Sequence, residues 1–335
     1  MKAITIQRHG FQGLAPVERE YRAPLRREVR LRMRAVSLNY RDLEIVSGTF
    51  ATAYNLPLIP ISDGVGEVVE VGQDVARFKP GDRVCSAFWG EWNDGGFNIA
   101  KAGKSLGGPG DGLLQEQVTL DEQRLVKVPD ALSDGEAAAF PCAGSTAWQA
   151  LVSFGQIRPG DVVVVQGTGG VALFGLQVGL MVGAKVIVLS SSDKKLERAK
   201  ALGAFAGVNY RGTPAWSDEV LELTAGQGAD HILETGGPSS FAQSLKAVRS
   251  GGRISVIGYL GGAQGSINPL DIFRKQAAVQ GIPVGSRSSL ESLLNAMAAS
   301  SRRPILDSTF DWNDVVPALE RLHSGDHFGK IVLTF

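Results

Sequence analysis

The residues with the clearest chemical purpose are Gly167-Thr168-Gly169-Gly170-Val171-Ala172. They follow the apolar run 162–166 and open a stretch of helical character, so G-x-G-x-x-(G/A) stands in a strand–turn–helix setting. Gly167 permits the tight turn, Gly169 lets the backbone approach a pyrophosphate, and Ala172 is small enough for the helix to pack on the strand. The first N–H groups of such a helix lack intrahelical acceptors and bind phosphate oxygens. The same turn can serve packing alone. Three further strand–helix units and a closing strand follow it here, and that context points to a dinucleotide.

The next predicted strand ends in Leu189-Ser190-Ser191-Ser192. An Asp or Glu about 20 residues beyond the glycines would hold a ribose 2′-hydroxyl. Ser190, 23 positions after Gly167, stands there instead, with Lys194 and Lys195 just downstream. A short hydroxyl beside cations suits a 2′-phosphate, so the expected cofactor is NADPH. The competing reading has both lysines solvating a helix start.

The elements that must position these residues follow from periodicity. Strands are predicted at 162–166, 185–190, 207–210, 231–234 and 253–257, and helices at 171–182, 193–202, 217–224 and 239–249. Gly203, Gly226 and Gly251 stand past helix ends as left-handed caps. Gly175, Gly179 and Gly183 form a small-residue stripe that lets the first helix lie close to its sheet. The alternation predicts an α/β fold with a doubly wound parallel sheet of Rossmann type. The first 130 residues read as β. Val29, Leu31 and Met33 alternate with Arg30, Arg32 and Arg34, and further strands are expected at 66–71, 83–87 and 115–120. The boundaries read as 1–128, 129–278 and a closing segment, 279–335, that returns to the first domain. Ala277-Ala278-Val279-Gln280-Gly281-Ile282-Pro283-Val284 reads as the last strand of the nucleotide sheet, and so apolar an edge predicts a homodimer.

Composition excludes several classes. The 34 basic residues balance 34 acidic ones, which argues against a nucleic-acid partner. Seven arginines crowd residues 19–34, but three are the wet face of one strand. Two cysteines, Cys85 and Cys142, make neither a disulfide scaffold nor a four-cysteine zinc lobe. The N-terminus lacks the apolar core of a secretory signal, so a cytoplasmic location is expected. Residues 162–184 are uncharged and long enough to span a membrane, yet a strand, a glycine turn and a buried helix account for them better, and no membrane role is expected. Gly103-Lys104-Ser105-Leu106-Gly107 matches G-x-S-x-G, but the Gly107-Gly108-Pro109-Gly110 that follows cannot start the helix a hydrolase elbow needs. His9, His231, His323 and His327 show no metal spacing.

Five stretches together resemble the medium-chain dehydrogenase/reductase superfamily over nearly the whole chain. They are Pro60-Ile61-Ser62-Asp63-Gly64-Val65-Gly66, Phe78-Lys79-Pro80-Gly81-Asp82-Arg83-Val84, Pro141-Cys142-Ala143-Gly144-Ser145-Thr146-Ala147-Trp148, Gly167–Ala172 (the glycine turn) and Phe328-Gly329-Lys330-Ile331-Val332. The resemblance implies a GroES-like barrel, a Rossmann domain and a cleft between them for nicotinamide and substrate. The zinc alcohol dehydrogenases of that superfamily hold their metal with a Cys, a His-Glu pair and a second Cys. The matching positions here are Asn39, Ser62-Asp63 and Cys142. One thiolate cannot supply the three protein ligands of catalytic zinc, so no zinc is expected. The chain is similar to the zinc-free branch of quinone oxidoreductases and enoyl reductases, and Leu38-Asn39-Tyr40-Arg41-Asp42 resembles their Leu-Asn-Phe-Arg-Asp segment.

Without a metal, hydrogen-bond donors must meet the charge developing on a carbonyl oxygen. Asn39 offers an amide and Tyr40 a phenol, although helix entry and packing would also explain both. Asp42 is expected to cap that segment. Conjugate reduction makes the weaker electrostatic demand, so the expected substrate is a quinone, enone or related small carbonyl compound. Trp89 and Trp92, with Cys142, are expected to line its pocket. By resemblance, further cofactor contacts fall on Thr146, Gly236-Gly237, Gly258, Val284-Gly285, Lys330 and Tyr210. Two competing readings remain: a dehydrogenase of small alcohols, and a non-enzymatic nucleotide-binding protein.

Overall fold

The structure is a computed structural model describing residues 1–100 and 102–335. It divides into two compact units, Met1–Ser145 with Gly285–Phe335, and Thr146–Val284. These edges lie later in the chain than boundaries at 128/129 and 278/279.

In the first unit the long strand Glu28–Ser37 buries Val29, Leu31 and Met33. Its arginines point the other way and meet acids on the neighbouring strand Asp63–Val71. Arg30 pairs with Glu70 at 2.5 Å, and Arg32 and Arg34 share Glu67 at 2.9 and 3.3 Å. The basic stripe is thus neutralised within the sheet. The strands run in the order Leu306–Asp311, Lys330–Thr334, Glu28–Ser37, Asp63–Val71, Arg83–Ser86, Leu125–Lys127, with Gln117–Asp121 also pairing Glu28–Ser37. The chain's last strand lies antiparallel to Glu28–Ser37, Val332 opposite Ser37.

The second unit holds a six-stranded, all-parallel sheet. Its order is Ala206–Asn209, Lys185–Ser190, Val162–Gln166, Ala229–Glu234, Val248–Val256, Ala278–Gly281. Winding reverses between Val162–Gln166 and Ala229–Glu234, and at such a switch point a ligand crevice opens beyond the carboxyl ends of the strands. Helix Gly170–Val182 packs on this sheet at glycines: a Cβ on Gly175 would fall 2.8 Å from Leu233, and one on Gly179 would fall 2.6 Å from Val186. Gly183 belongs to the turn instead, capping that helix at φ +86°. Gly203 and Gly226 take the expected left-handed conformation. Gly251 does not cap a helix. Helix Pro238–Ala247 ends at extended Val248, and Gly251 lies inside strand Val248–Val256. Among the described residues, no helix is long and apolar enough to cross a membrane.

Candidate active site

The nucleotide turn is built from the end of Val162–Gln166. The Gly167 N–H donates to Leu189 O at 2.7 Å, tying the turn to the adjacent strand. Gly167 has φ +82°, and a Cβ there would meet nothing within 4 Å, so the space before the turn is open. Gly169 precedes helix Gly170–Val182 without any side-chain cap. The amides of the first turn, Gly170 and Val171 among them, have no side-chain acceptor from that position, and Thr168 is buried beside them. This donor set fits a pyrophosphate.

A network that the sequence reading missed holds this turn in place. Glu234, fully buried, accepts from Gln166 Nε2 at 2.7 Å, from the Gly236 and Gly237 N–H groups at 2.9 and 3.0 Å, and from the hydroxyls of Ser240 and Ser244. Gln166 Oε1 in turn accepts from the N–H groups of Thr235 and Gly236. Two strand ends flanking the switch point are thereby locked together. The available signal was a polar residue closing each apolar run. Gly258 packs against the same turn, where a Cβ would lie 3.0 Å from Thr235 O. Thr146 is buried at the start of this unit.

Ser190 is 3 % exposed, and its hydroxyl accepts from the Ser192 N–H at 3.3 Å. Asn209 lies opposite Ser190, so Tyr210 emerges next to it and donates its N–H to Ser190 O at 3.1 Å. The Tyr210 ring stays exposed. Half-buried Lys195 lies in the first turn of helix Asp193–Ala201, and Ser191 lies between it and Ser190. The one acid of that turn, Asp193, is engaged by Asn209 Nδ2 at 2.7 Å.

In the first unit, four chain segments converge on a buried polar cluster. Leu38-Asn39 leaves strand Glu28–Ser37, and helix Tyr40–Ser47 follows, with Asp42 accepting from the Asn39 N–H at 2.8 Å. Ser62-Asp63 enters the neighbouring strand, where the Ser62 hydroxyl donates to Asp63 at 2.7 Å. Cys142, in the π-helical turn Phe140–Gly144, donates its backbone N–H to Asp63 at 2.8 Å. Lys330 closes the cluster, donating to Leu38 O at 2.5 Å and Asn39 Oδ1 at 2.6 Å. The Asn39 side-chain nitrogen is buried and faces the Asp63 carboxyl, whose pKa it helps to hold down, without reaching full hydrogen-bond geometry. Burial pushes the Asp42 carboxyl up to about 6, against the pull of Arg41, and raises Asp63 against the pull of Lys330. Burial, reinforced by the Asp63 charge, also drives the Cys142 thiol far up, keeping it protonated. Ile61, beside Ser62, holds φ +74° and Val284 holds φ +73°. Such backbone strain in a β-branched residue collects at functional sites.

The other expected residues lie apart from that cluster. Tyr40 is 46 % exposed at the helix start. Trp92 is buried and gives its indole N–H to Gly95 O at 3.0 Å, while Trp89 packs with Phe88 and Phe97. Arg41 ties this aromatic loop to the Asn39 segment, lying 5.0 Å from the Phe88 ring centroid and donating to Leu106 O and Gly108 O. Gly285 approaches the backbone closely, since a Cβ there would fall 2.8 Å from Ser145 O. Ser105 is no nucleophile: its hydroxyl is spent on Gly108 O at 2.6 Å in an irregular loop.

Comparison with known proteins agrees with this architecture. Residues 26–130 match the family model "Alcohol dehydrogenase GroES-like domain", and residues 170–299 match "Zinc-binding dehydrogenase". A zinc-type alcohol dehydrogenase-like protein of Schizosaccharomyces pombe is 40 % identical, covering 97 % of this chain and 96 % of its own. The acryloyl-coenzyme A reductase of Metallosphaera sedula is 30 % identical over the full length of both. A crystal structure from Sinorhizobium meliloti 1021, assigned to the alcohol dehydrogenases, superposes with a TM-score of 0.93 at 43 % identity, covering 100 % of this chain and 98 % of its own.

The metal named by one of those family models does not suit the donors present. Asn39 Oδ1 is taken by the Lys330 ammonium, and the Ser62 hydroxyl is given to Asp63. Zinc asks for three Cys, His or carboxylate ligands, and among the described residues no group of three or more His, Cys, Asp or Glu could hold a metal. The glycine turn, the two-domain match and the full-length identities settle the wider affiliation: this chain belongs to the medium-chain dehydrogenase/reductase superfamily of nicotinamide-dependent oxidoreductases.

Proposed function

We propose that the protein is a zinc-independent, NADPH-dependent reductase of quinones, enones or related α,β-unsaturated carbonyl compounds, working as a homodimer. The observation that carries this reading is the Asn39 side-chain N–H₂ group, nine-tenths buried and in no full hydrogen bond, in a cluster whose donors do not suit zinc. Bound NADPH supplies the hydride. The Asn39 amide donates to the carbonyl oxygen, where negative charge gathers as the β-carbon is reduced. A preorganised donor in a water-poor site stabilises that charge by about 3–4 kcal/mol. Asp42 holds the Asn39 backbone, and the protonated Cys142 thiol gives no thiolate to add to an enone. Tyr40 is the candidate proton donor to the α-carbon. The loop that carries Trp89, packed on Phe88 and Phe97, faces the flat substrate. The relative named an acryloyl-coenzyme A reductase supports this substrate class. NADPH is favoured by Ser190, Lys195 and Tyr210, which leave room and charge for a 2′-phosphate where a carboxylate would repel it. Alcohol oxidation is the second reading, favoured by the relative that is named an alcohol dehydrogenase-like protein.

One set of measurements tests this. Purified protein is analysed for zinc, then assayed for NADPH oxidation with quinones, enones and aldehydes, and for NADP⁺ reduction with small alcohols. Zinc far below one per chain, with turnover of quinones or enones, is expected. Near-stoichiometric zinc lost together with activity on chelation overturns it. In titrations NADPH should bind about 10- to 40-fold more tightly than NADH, the worth of a partly exposed charge-assisted hydrogen bond. Ser190→Asp should invert that order, whereas equal dissociation constants in the unmutated protein refute the assignment.

A further inference from the structure

Lys330 is 3 % exposed, with its ammonium committed to the Leu38 carbonyl and to Asn39 Oδ1. By resemblance it was expected to touch the cofactor. Its position follows from the sheet. Lys330 opens the last strand, Lys330–Thr334, whose Ile331 carbonyl accepts the Leu38 N–H at 3.0 Å, so the lysine stands against the residues that leave Glu28–Ser37. Asp63 and Asp42 both feel its charge, which accounts for a buried ammonium being tolerated there.

We propose that Lys330 is a positioning residue for carbonyl reduction, orienting the Asn39 amide through Oδ1 so that Nδ2 is the atom presented to the substrate oxygen. The argument is one of polarity. An amide can turn end for end with little change of shape, but its two ends differ: oxygen only accepts and N–H₂ only donates. An ammonium only donates, so it tolerates Oδ1 and repels Nδ2. With Lys330 at Oδ1 and the Asp63 carboxyl facing Nδ2, one orientation survives, and the N–H₂ end keeps a hydrogen not held in a full hydrogen bond. Without it, Asn39 can present an oxygen to the substrate oxygen, a repulsive pairing in which the developing negative charge is opposed. A cation in this cluster therefore supports carbonyl polarisation indirectly, through a neutral donor. This rests on the reduction proposed above and adds to it a named dependence of one residue on another.

The test uses the full-length protein and whichever quinone or enone the unmutated enzyme reduces fastest. Variants are Lys330→Gln, Lys330→Arg, Asn39→Ala and the Lys330→Gln/Asn39→Ala pair, each confirmed folded by thermal denaturation. Lys330→Gln should lower kcat about 10- to 100-fold, somewhat less than outright loss of an oxyanion donor. Its NADPH dissociation constant, read by fluorescence titration, should stay within about twofold, and KM should change little. Lys330→Arg, which keeps a buried donor cation, should recover most of kcat. The double variant should be no slower than Asn39→Ala alone, because both changes remove one function. A tenfold rise in the NADPH dissociation constant with kcat retained would make Lys330 a phosphate ligand and overturn the proposal. Multiplying losses in the double variant would overturn it too, since the residues would then act separately. Lys330→Arg and Asn39→Ala keep the question decidable should Lys330→Gln not fold. Absence of NADPH-dependent reduction with any compound in the unmutated enzyme would instead remove the function proposed above.

Discussion

Asp42 shows how closely chemistry and cost are joined in the buried cluster. Its carboxyl is 1 % exposed and raised to about 6, chiefly by desolvation. A carboxyl whose folded pKa exceeds its unfolded value of about 3.9 contributes stability at low pH and loses it as pH rises through the folded value. Between pH 5 and 7 the folded state gives up the Asp42 proton while the unfolded state has none left to lose. Unfolding free energy should therefore fall by about 1.4 kcal/mol over that window relative to Asp42→Asn, which keeps an acceptor for the Asn39 N–H. Denaturant unfolding of both proteins at the two pH values checks this, and parallel pH dependences would refute it. His231 works in the opposite sense. Burial lowers its pKa, so its contribution is lost as pH falls, and comparing two proteins that share it cancels the term. At this scale the sequence pointed to Asn39, Ser62, Asp63 and Cys142 because each occupies a recognisable motif. It could not show that Lys330, 291 positions from Asn39 along the chain, bonds to it, because that contact is made by strand pairing.

The helix Gly170–Val182 carries the clearest element-scale test. Glycine in a helix interior costs up to about 1 kcal/mol relative to alanine, so Gly179→Ala would stabilise an isolated helix. Here the added Cβ would meet Val186 at 2.6 Å, in a strand that cannot retreat without disturbing the parallel sheet. Overpacking of this kind costs about 1–3 kcal/mol. The variant should be less stable by roughly 1 kcal/mol net, read from its urea midpoint, and a raised midpoint would show the helix free to shift. The stripe 175–179 was legible because it repeats on one face. Gly183 continued the spacing but belongs to the cap, since spacing alone does not report φ. Gly251 was misplaced for a related reason: a glycine following apolar residues marks a helix end or an irregular strand equally well. The Glu234 network escaped notice because its partners come from three elements, strand ends 166 and 234 and the helix bearing Ser240 and Ser244.

At the scale of the whole molecule, the nucleotide sheet leaves both its outer edges unpaired among the described residues. Strand Ala278–Gly281 bonds to Val248–Val256 on one side and ends the sheet. Among the described residues, exposed large apolar side chains gather just before it: Tyr259, Leu260, Ile267, Leu270 and Phe273, the last 77 % exposed. An open edge beside an apolar patch invites association with another strand. A second copy of the same chain satisfies the edge by pairing across a two-fold axis, where each residue meets its counterpart's surroundings and the interface closes without propagating. The other end of the sheet, Ala206–Asn209, is flanked by a smaller pair, Phe205 and Tyr210, 48 % and 42 % exposed. There Lys185 lies over one face of the Phe205 ring, 5.3 Å from its centroid. The larger apolar patch lies beside Ala278–Gly281, and pairing there across a two-fold axis predicts a dimer rather than a fibre. Static light scattering at micromolar concentration should give twice the chain mass of 35.5 kDa. Phe273→Glu places a charge in the centre of the patch without touching the glycine turn, and should shift the protein toward monomer while leaving NADPH affinity within about twofold, since a uniform loss of more than about 0.4 kcal/mol is not expected at a distant site. A monomeric unmutated protein, or a Phe273→Glu variant as dimeric as the parent, would mean that this edge is capped in some other way.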